Sequence, residues 1–314
     1  MKSLAKLKQI KGDASFRKFY RNQENNSILV VCKKEKLKNL LIYDSINKIL
    51  VKNKILAPNL ISENYLNNYI EIQDFGDQTL FKVLKNRNIN KYDIFKKIIH
   101  ILKKIQTIKD KKVKNFKNQS YKVQEYKNNI LYKEAKLFCD WYVPKKLSYL
   151  KSLKFNKKFK SEIKYLLSKL KYKNDTFVHR DFHVSNLMHH KKHIALIDNQ
   201  DALIGNKAYD LASLIDDVRF KTSNQFKEKV FNFYIKKNKK IDLYKFKKDF
   251  EILSVLRNLK IIGIFTRLAS RDDKKKYLKL IPYAWEMINY RMKKQNKFNN
   301  LTILLRNNFP KSIK

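Results

Sequence analysis

The first quarter of the chain alternates short apolar runs with polar turns, a pattern typical of β-strands. Strands are predicted at residues 16–22 and 27–32, with the polar tetrad QENN as a hairpin connection between them. Apolar residues at helical spacing then predict a helix over residues 37–53. Two further strand-like runs follow at residues 59–62 and 68–75.

Beyond Gly76 the pattern becomes mainly helical. Amphipathic helices are predicted over residues 93–108 and 121–142, and helical periodicity resumes after Gly205. Residues 177–201 interrupt it with short apolar runs and turns. We therefore predict an α+β fold with two lobes. A small β-rich N-terminal lobe takes residues 1–76, and a larger, mainly helical lobe takes residues 77–314 with a β-turn-β insertion.

Composition supports a folded protein. Of the 314 residues 43% are hydrophobic, and 20 Phe and 18 Tyr are too many for a disordered chain. No apolar run approaches the roughly 20 residues of a membrane helix, and the N-terminus lacks a signal-peptide pattern. Cys32 and Cys139 lie far apart in sequence, as expected of reduced thiols. We expect a soluble, cytoplasmic protein without a membrane partner.

The formal net charge of +44 raises a nucleic-acid-binding alternative. The excess is overwhelmingly lysine and is spread over the whole chain, whereas phosphate and base recognition favours the planar fork of arginine. We interpret the lysines as solvated surface and expect no specific nucleic acid partner. The alternative predicts salt-sensitive RNA or DNA affinity.

The strongest chemical signal is TFVHRDFHVSNLM at residues 176–188, followed by IALIDNQDA at residues 194–202. Asp181 ends an HRD triplet, and Asn186 follows at the H-R-D-x-x-x-x-N spacing of a kinase catalytic loop. Asp198 ends the next apolar strand. Phosphoryl transfer needs a carboxylate beside the acceptor hydroxyl, for which Asp181 is suited, and oxygen ligands for Mg²⁺, for which Asn186 and Asp198 are suited. Together with the two lobes, the motif predicts a protein-kinase-like fold.

Histidines cluster around the same loop, since five of the six fall between His179 and His193. A zinc site is the alternative that such clustering raises. No HExxH pattern is present, and the catalytic loop accounts for His179 as a supporting, hydrogen-bonding residue. We therefore favour the kinase interpretation.

The phosphate-binding end has no GxGxxG motif. Its candidates lie in GDASFRKF, where Ser15 offers a hydroxyl and Arg17 a charge, with Arg21 as a further cation. The strand lysine that usually holds the α- and β-phosphates is either Lys33 or Lys34. Asp44 is the best-placed acidic partner on the next helix, although we expect it to be exposed.

Beyond this motif, nearly the whole chain resembles the aminoglycoside-phosphotransferase-like superfamily. Within it, the chain is most similar to the bacterial anomeric N-acetylmuramate/N-acetylglucosamine kinases. The segments that carry the resemblance are GDASFRKFYR, EIQDFGDQTL, LFCDWYVP, HRDFHVSNLM, IDNQDALIGNKAYDLASLIDDVR and LRNLKIIGIFTRLASRDDKKKYL. One departure is Asn199, where relatives often carry Phe.

The resemblance implies an ATP- and Mg²⁺-dependent kinase that phosphorylates the anomeric hydroxyl of an amino sugar in cell-wall recycling. It implies Asp181 as the base and Asn186 with Asp198 as metal ligands. Asp201 matches a recurring acid that reaches either the metal or the sugar. Asp210 matches another, which we interpret as structural support at a helix start.

The resemblance also implies that ATP binds at the hinge, where Gln73 and Phe75 are the candidate residues. The sugar is expected over the catalytic loop against the helical lobe. Arg257 and Arg267 are candidate sugar contacts, because an arginine on an apolar helix needs a partner or a ligand. Further sugar candidates are Trp141, Arg219 and Asn258.

Two other functions compete with the amino-sugar kinase. A kinase for another small acceptor, such as an aminoglycoside, choline or homoserine, would share the same phosphotransfer residues. A protein kinase is disfavoured, since Asn199 and Gln200 replace the Phe-Gly of a DFG motif and no APE segment is present. No obligate protein partner is evident.

Overall fold

The computed structural model describes residues 7–10, 17–293 and 295–313, and its N-terminal part is built on a five-stranded antiparallel sheet. Its strands are β1 (Leu7–Ile10), β2 (Lys18–Asn22), β3 (Ser27–Val31), β4 (Leu60–Asn64) and β5 (Tyr69–Gln73). They lie in the order β1-β2-β3-β5-β4. The strand predictions for this region are confirmed, while β1 was not predicted.

Helix α1 (Lys38–Lys52) packs its apolar face on this sheet. Leu40 and Tyr43 share a buried cluster with Val30 of β3 and Ile70 of β5, which are paired across the sheet. Full burial of such side chains contributes roughly 1.5–3 kcal/mol each. The helix matches the predicted span to within one residue at each end.

The remaining strands are short and occur in pairs. They are β6 (Lys112–Lys114), β7 (Ser120–Lys122), β8 (Thr176–Val178), β9 (Leu187–His190), β10 (His193–Leu196) and β11 (Leu203–Gly205). The β9–β10 hairpin confirms the predicted β-turn-β insertion.

The chain divides into two compact units. Within the described residues, the first unit lies in Met1–Gln124 and Phe177–Ile204, and the second in Glu125–Thr176 and Gly205–Lys314. The insertion joins the first unit because its backbone is tied there: His189 N–H donates to Gln78 O at 2.7 Å, and Leu196 N–H donates to Leu56 O at 2.8 Å. The lobe boundary at residue 76 stays a prediction, since these units follow a different division of the chain.

The second unit is helical apart from short strand ends. The remaining helices of the chain are α2 (Leu80–Val83), α3 (Lys91–Gln106), α4 (Asn128–Ala135), α5 (Tyr149–Ser168), α6 (Tyr209–Ile215), α7 (Asn224–Lys237), α8 (Leu243–Arg271), α9 (Ile281–Met292) and α10 (Asn299–Asn308), with α2 and α3 in the first unit. A π-helical turn, Phe138–Tyr142, lies against α8. Gly263 permits this approach, because a Cβ there would lie 2.3 Å from the carbonyl carbon of Leu137.

The single helix predicted over residues 121–142 is wrong. The segment instead contains the end of β7, helix α4 and the π-helical turn. Tyr121 pairs with Val113 of β6 in a short hairpin, and this strand pairing outweighs the helical periodicity of the segment. No helix among the described ranges is long and apolar enough to cross a membrane.

Candidate active site

The HRD segment forms a loop between the buried strand β8 and strand β9. Phe182 and Val184, with at most 1% of their surface exposed, anchor the loop from within. The loop folds back on itself, because Asn186 Nδ2 donates to the backbone oxygen of Asp181 at 3.0 Å. That bond uses the amide nitrogen of Asn186 and leaves its side-chain oxygen as the atom for a ligand.

Asn186 and Asp198 lie beside each other because the β9–β10 hairpin brings them together. Asn186 directly precedes β9, Asp198 follows β10 by two residues, and Leu187 pairs with Leu196. The N–H of Ile197 donates to the backbone oxygen of Asn186 at 3.1 Å. The predicted metal ligands are therefore neighbours in space, as their spacing along the chain indicated.

Asp198 sits among charges of both signs. Its Oδ1 accepts from Gln200 Nε2 at 2.9 Å and from Arg17 Nη2 at 3.4 Å. Although 40% of the side chain is exposed, surrounding protein atoms desolvate it and raise its pKa, which Asp181 and Asp201 raise further while Arg17 and Gln200 oppose the shift. Asp198 is thus crowded by the carboxylates of Asp181 and Asp201 and lies next to the side-chain oxygen of Asn186. A divalent cation that prefers oxygen ligands would stabilise this arrangement.

Asn199 links the catalytic loop to helix α1 through buried hydrogen bonds. Its Nδ2 donates to Asn47 Oδ1 at 2.9 Å and to the Leu196 oxygen at 3.1 Å, and its Oδ1 lies 2.9 Å from His179 Nε2. His179 Nε2 also lies 3.2 Å from the oxygen of Ile197, which can only accept, so this nitrogen carries the proton. His179 is thus a buried supporting residue.

The described part of the phosphate-binding end contains one buried cation next to the site. Arg17 is 7% exposed, and its guanidinium lies 6.0 Å from the ring centre of Tyr43 as well as near Asp198. Ser15 lies outside the described residues. Lys33 and Lys34 are exposed on a short turn after β3.

The expectation that Asp44 is exposed is wrong. Asp44 is 2% exposed and pairs with Lys48, one helical turn later, at 2.8 Å. Desolvation raises the pKa of Asp44, and Lys48 opposes that shift. The structure pairs Asp44 with Lys48 rather than with Lys33 or Lys34, so the roles of these two lysines stay predictions.

Arg21, offered above as a further cation for phosphate, is engaged elsewhere. Its Nε donates to Asp74 at 2.5 Å and its Nη1 to Asp77 at 2.7 Å. These bonds fix the hinge segment, where Asp74 also accepts from the N–H of Gly76 at 2.7 Å. Gly76 has a φ of +80°, a conformation that favours glycine.

The hinge candidates lie in the same segment. The side-chain Oε1 of Gln73 accepts from Asn59 Nδ2 at 3.3 Å, and the backbone N–H of Gln73 donates to the Asn59 backbone oxygen at 2.9 Å. Phe75 is 5% exposed and meets the ring of His190 edge-on at 5.0 Å. Their nucleotide-binding roles stay predictions.

The remaining candidates lie apart from the loop in sequence. Asp201 is exposed and lies 3.9 Å from Arg180. Asp210 is fully buried in the first turn of α6, whose N-cap residue is Ala208, and its role as structural support at this helix start stays a prediction. Arg257 is 3% exposed, and Arg267 is half-buried, with desolvation lowering its pKa.

Comparison with known proteins places this fold and loop in a family. The model of the phosphotransferase enzyme family matches residues 6–244. The chain belongs to this family, and the predicted superfamily, class of enzyme and kinase-like architecture are confirmed.

Relatives and a solved structure agree with this assignment. The chain is 33% identical to the N-acetylmuramate/N-acetylglucosamine kinase of Neisseria meningitidis over 57% of this chain and 55% of that protein. It is 27% identical to the kinase of the same name from Pseudomonas aeruginosa, over 88% of this chain and 81% of that protein. The chain therefore matches about half the length of the first relative. The ADP-bound aminoglycoside phosphotransferase APH(2'')-Ib shares the fold, with a TM-score of 0.60 and 17% identity over 90% of this chain and 94% of that one.

Proposed function

We propose that this protein is an ATP-dependent kinase that phosphorylates the anomeric hydroxyl of an N-acetylated amino sugar. The observation that carries the proposal is that Asn186 and Asp198, which follow the HRD triplet, lie next to each other in a member of the phosphotransferase family. The acceptor class follows from the names of the relatives from Neisseria and Pseudomonas. The product would be a sugar 1-phosphate, suited to nucleotide-sugar synthesis in cell-wall recycling.

In the proposed mechanism Asp181 orients the acceptor hydroxyl and takes its proton as the oxygen attacks the γ-phosphorus. The bond between the γ-phosphorus and the β,γ-bridging oxygen breaks, and ADP leaves. A hemiacetal hydroxyl is more acidic than an ordinary alcohol, so a carboxylate is a sufficient base. Asn186 and Asp198 would hold Mg²⁺, which when bound offsets the charge of the phosphate oxygens. Arg17 supplies a fixed positive charge near Asp198.

The test is ADP release by the purified chain with ATP, Mg²⁺ and a panel of N-acetylmuramate, N-acetylglucosamine, glucose and an aminoglycoside. Removal of a general base costs typically 10²- to 10⁴-fold in rate, so Asp181→Asn should lose at least about 100-fold. The matched control is Asp175→Asn, which removes an exposed carboxylate just before β8 and should leave the rate within about twofold. Phosphorus NMR of the product should show coupling to the anomeric proton.

Other outcomes would redirect the proposal. Turnover only on glucose or the aminoglycoside would keep the phosphotransfer residues and remove the amino-sugar assignment. Equal rates for Asp181→Asn and the unaltered chain would refute the role of Asp181. The structural neighbours do not favour another acceptor, because likeness at this level of identity shows the fold alone.

A further inference from the structure

Gln200 bridges two acidic side chains of the candidate active site. It lies in the 3₁₀ turn Asn199–Asp201, which directly follows Asp198. Its Nε2 donates to Asp198 Oδ1 at 2.9 Å and to Asp201 Oδ2 at 2.9 Å, which uses both amide hydrogens. Neighbouring carboxylates disfavour each other's charge, and a donor shared between them offsets that repulsion. The amide therefore fixes the two carboxylates relative to each other.

Burial makes this bridge rigid. Gln200 is 4% exposed, and the preceding Asn199 is fully buried and bonded to Asn47. The Oε1 of Gln200 is enclosed without a hydrogen-bond partner among the residues that the structure describes. Turning the amide over would place this oxygen against two negative carboxylates, so the charges fix its orientation. The side chain thus leaves one polar atom unsatisfied while its nitrogen holds both acids.

Asp201 connects the bridge to the HRD triplet. Its backbone oxygen accepts from Arg180 Nη1 at 3.1 Å, and its Oδ1 lies 3.9 Å from the same nitrogen. Arg180 and Asp198 have φ values of +73° and +62°. This left-handed conformation is unfavourable for residues other than glycine and persists where the surroundings hold it in place. The contacts from Arg180 through Asp201 and Gln200 to Asp198 link these two positions.

The bridge also distinguishes the two oxygens of Asp198. Gln200 and Arg17 both donate to Oδ1, at 2.9 and 3.4 Å, which leaves Oδ2 as the oxygen for a cation. The carboxylate cannot turn about its own axis without losing the bond to Gln200. Hydrogen bonds that orient a metal ligand in this way commonly account for part of the affinity for the metal.

We propose that Gln200 is a positioning residue, which holds Asp198 Oδ2 ready for the metal through its paired bonds to Asp198 and Asp201. The inference rests on the proposed function only in taking Asp198 as a metal ligand, and it holds for any acceptor. Gln200 itself contacts neither the metal nor the sugar. Asp201 acts as the second anchor of Gln200.

Isothermal titration calorimetry of ADP into the whole chain, once with EDTA and once with saturating Mg²⁺, measures how strongly the metal tightens nucleotide binding without any turnover. Gln200→Met keeps the length of the side chain and removes both N–H donors. It should reduce the tightening by Mg²⁺ by about 10- to 100-fold, while ADP affinity in EDTA stays within about twofold. The matched control is Gln124→Met, at an exposed residue whose amide donates to the Lys122 oxygen at 2.9 Å.

Gln200→Glu supplies a second, opposite perturbation of the same size. It replaces the shared donor with a third negative charge, so the ligand-free Tm should fall below that of Gln200→Met by about 2 °C or more. Mg²⁺ with ADP should recover this difference, because the cation offsets the added charge.

Several results would overturn the inference. They are an undiminished effect of Mg²⁺ in Gln200→Met, an equal loss of ADP affinity with and without the metal, no effect of Mg²⁺ on the unaltered chain, and equal Tm values for the two variants. Tightening by Mg²⁺ that depends on Gln200, without phosphorylation of any sugar, would refute the proposed function and leave the inference standing. Sugar phosphorylation by Gln200→Met at an unchanged Mg²⁺ requirement would do the reverse.

Discussion

Replacing Asn47 and Asn199 with leucine, singly and together, tests whether their buried hydrogen bond couples helix α1 to the catalytic loop. Asn47 is 4% exposed and Asn199 is fully buried, so neither side chain can turn to water for a substitute partner. Leucine has the branching of asparagine but replaces its polar atoms with larger methyl groups. Each single loss therefore includes a packing cost, and comparison of the double variant with the two single variants isolates the coupling between the two sites.

The cost of each variant follows from the groups it leaves unsatisfied, at about 1–3 kcal/mol for each buried group. Asn47→Leu orphans one N–H of Asn199 and removes a side-chain hydrogen bond to the buried Tyr43, so it should cost roughly 2–5 kcal/mol. Asn199→Leu orphans Asn47 Oδ1 and the Leu196 oxygen and should cost roughly 2–5 kcal/mol. His179 keeps its bond to the Ile197 oxygen in both variants.

The double variant removes both halves of the Asn47–Asn199 bond at once. Neither partner of that bond is then left orphaned, so the double variant should lose roughly 2–5 kcal/mol less than the sum of the single losses. Urea unfolding followed by circular dichroism measures all three free energies. Asn39→Leu, which alters a more accessible asparagine of α1 bonded to Lys36, is the control and should stay within about 0.5 kcal/mol.

The kinase activity of the same Asn47 and Asn199 variants gives a second test of this coupling. Asn199 follows Asp198 directly, so loss of its anchors should displace the carboxylate and reduce kcat, and a displacement of about 1 Å can cost about 100-fold. Single losses that add to within about 0.5 kcal/mol, with unchanged kcat, would refute the coupling.

Two further predictions concern the helical unit. Asp216→Asn leaves Arg291 without its buried carboxylate and should cost about 3–5 kcal/mol near neutral pH. Burial opposes ionisation of Asp216, but Arg291 outweighs it and the pKa of Asp216 is lowered. Its contribution is therefore complete above about pH 4 and is lost as pH falls through the lowered value, so acid unfolding should be less steep in the variant. Gly263→Ala should lower stability by about 1–3 kcal/mol or more, because its Cβ would meet the backbone of Leu137; an unchanged Tm would contradict this reasoning.

The geometry of the catalytic loop was predictable because it depends on residues that are close to one another in sequence. A hairpin between Asn186 and Asp198 has to bring its two ends together, and the apolar runs flanking each residue predicted that hairpin. The first-lobe strands and helix α1 were predictable for the same reason. Their apolar periodicity matches the faces that they bury.

Partners distant in sequence were not predictable. Arg21 pairs with Asp74 and Asp77, more than fifty residues away, and no local pattern distinguishes these acids from others. One usable signal was overlooked. Asn47 lies on the apolar face of α1, one turn after Tyr43, where a polar side chain needs a buried partner, and the unusual Asn199 was the available candidate.

The buried cations explain why the net charge of +44 says little about function. Only ten of the 72 Lys and Arg residues are arginine, yet Arg17, Arg257 and Arg291 are buried among the described residues, against Lys227 alone from the far more numerous lysines. The guanidinium is weakly hydrated and holds a fixed fork of donors, so it tolerates burial more readily than an ammonium does. Lysine therefore covers the surface, while the buried positive charge among the described residues rests mainly on arginines. The salt dependence of the kinase should accordingly be modest, whereas single arginine substitutions should have large and distinct effects.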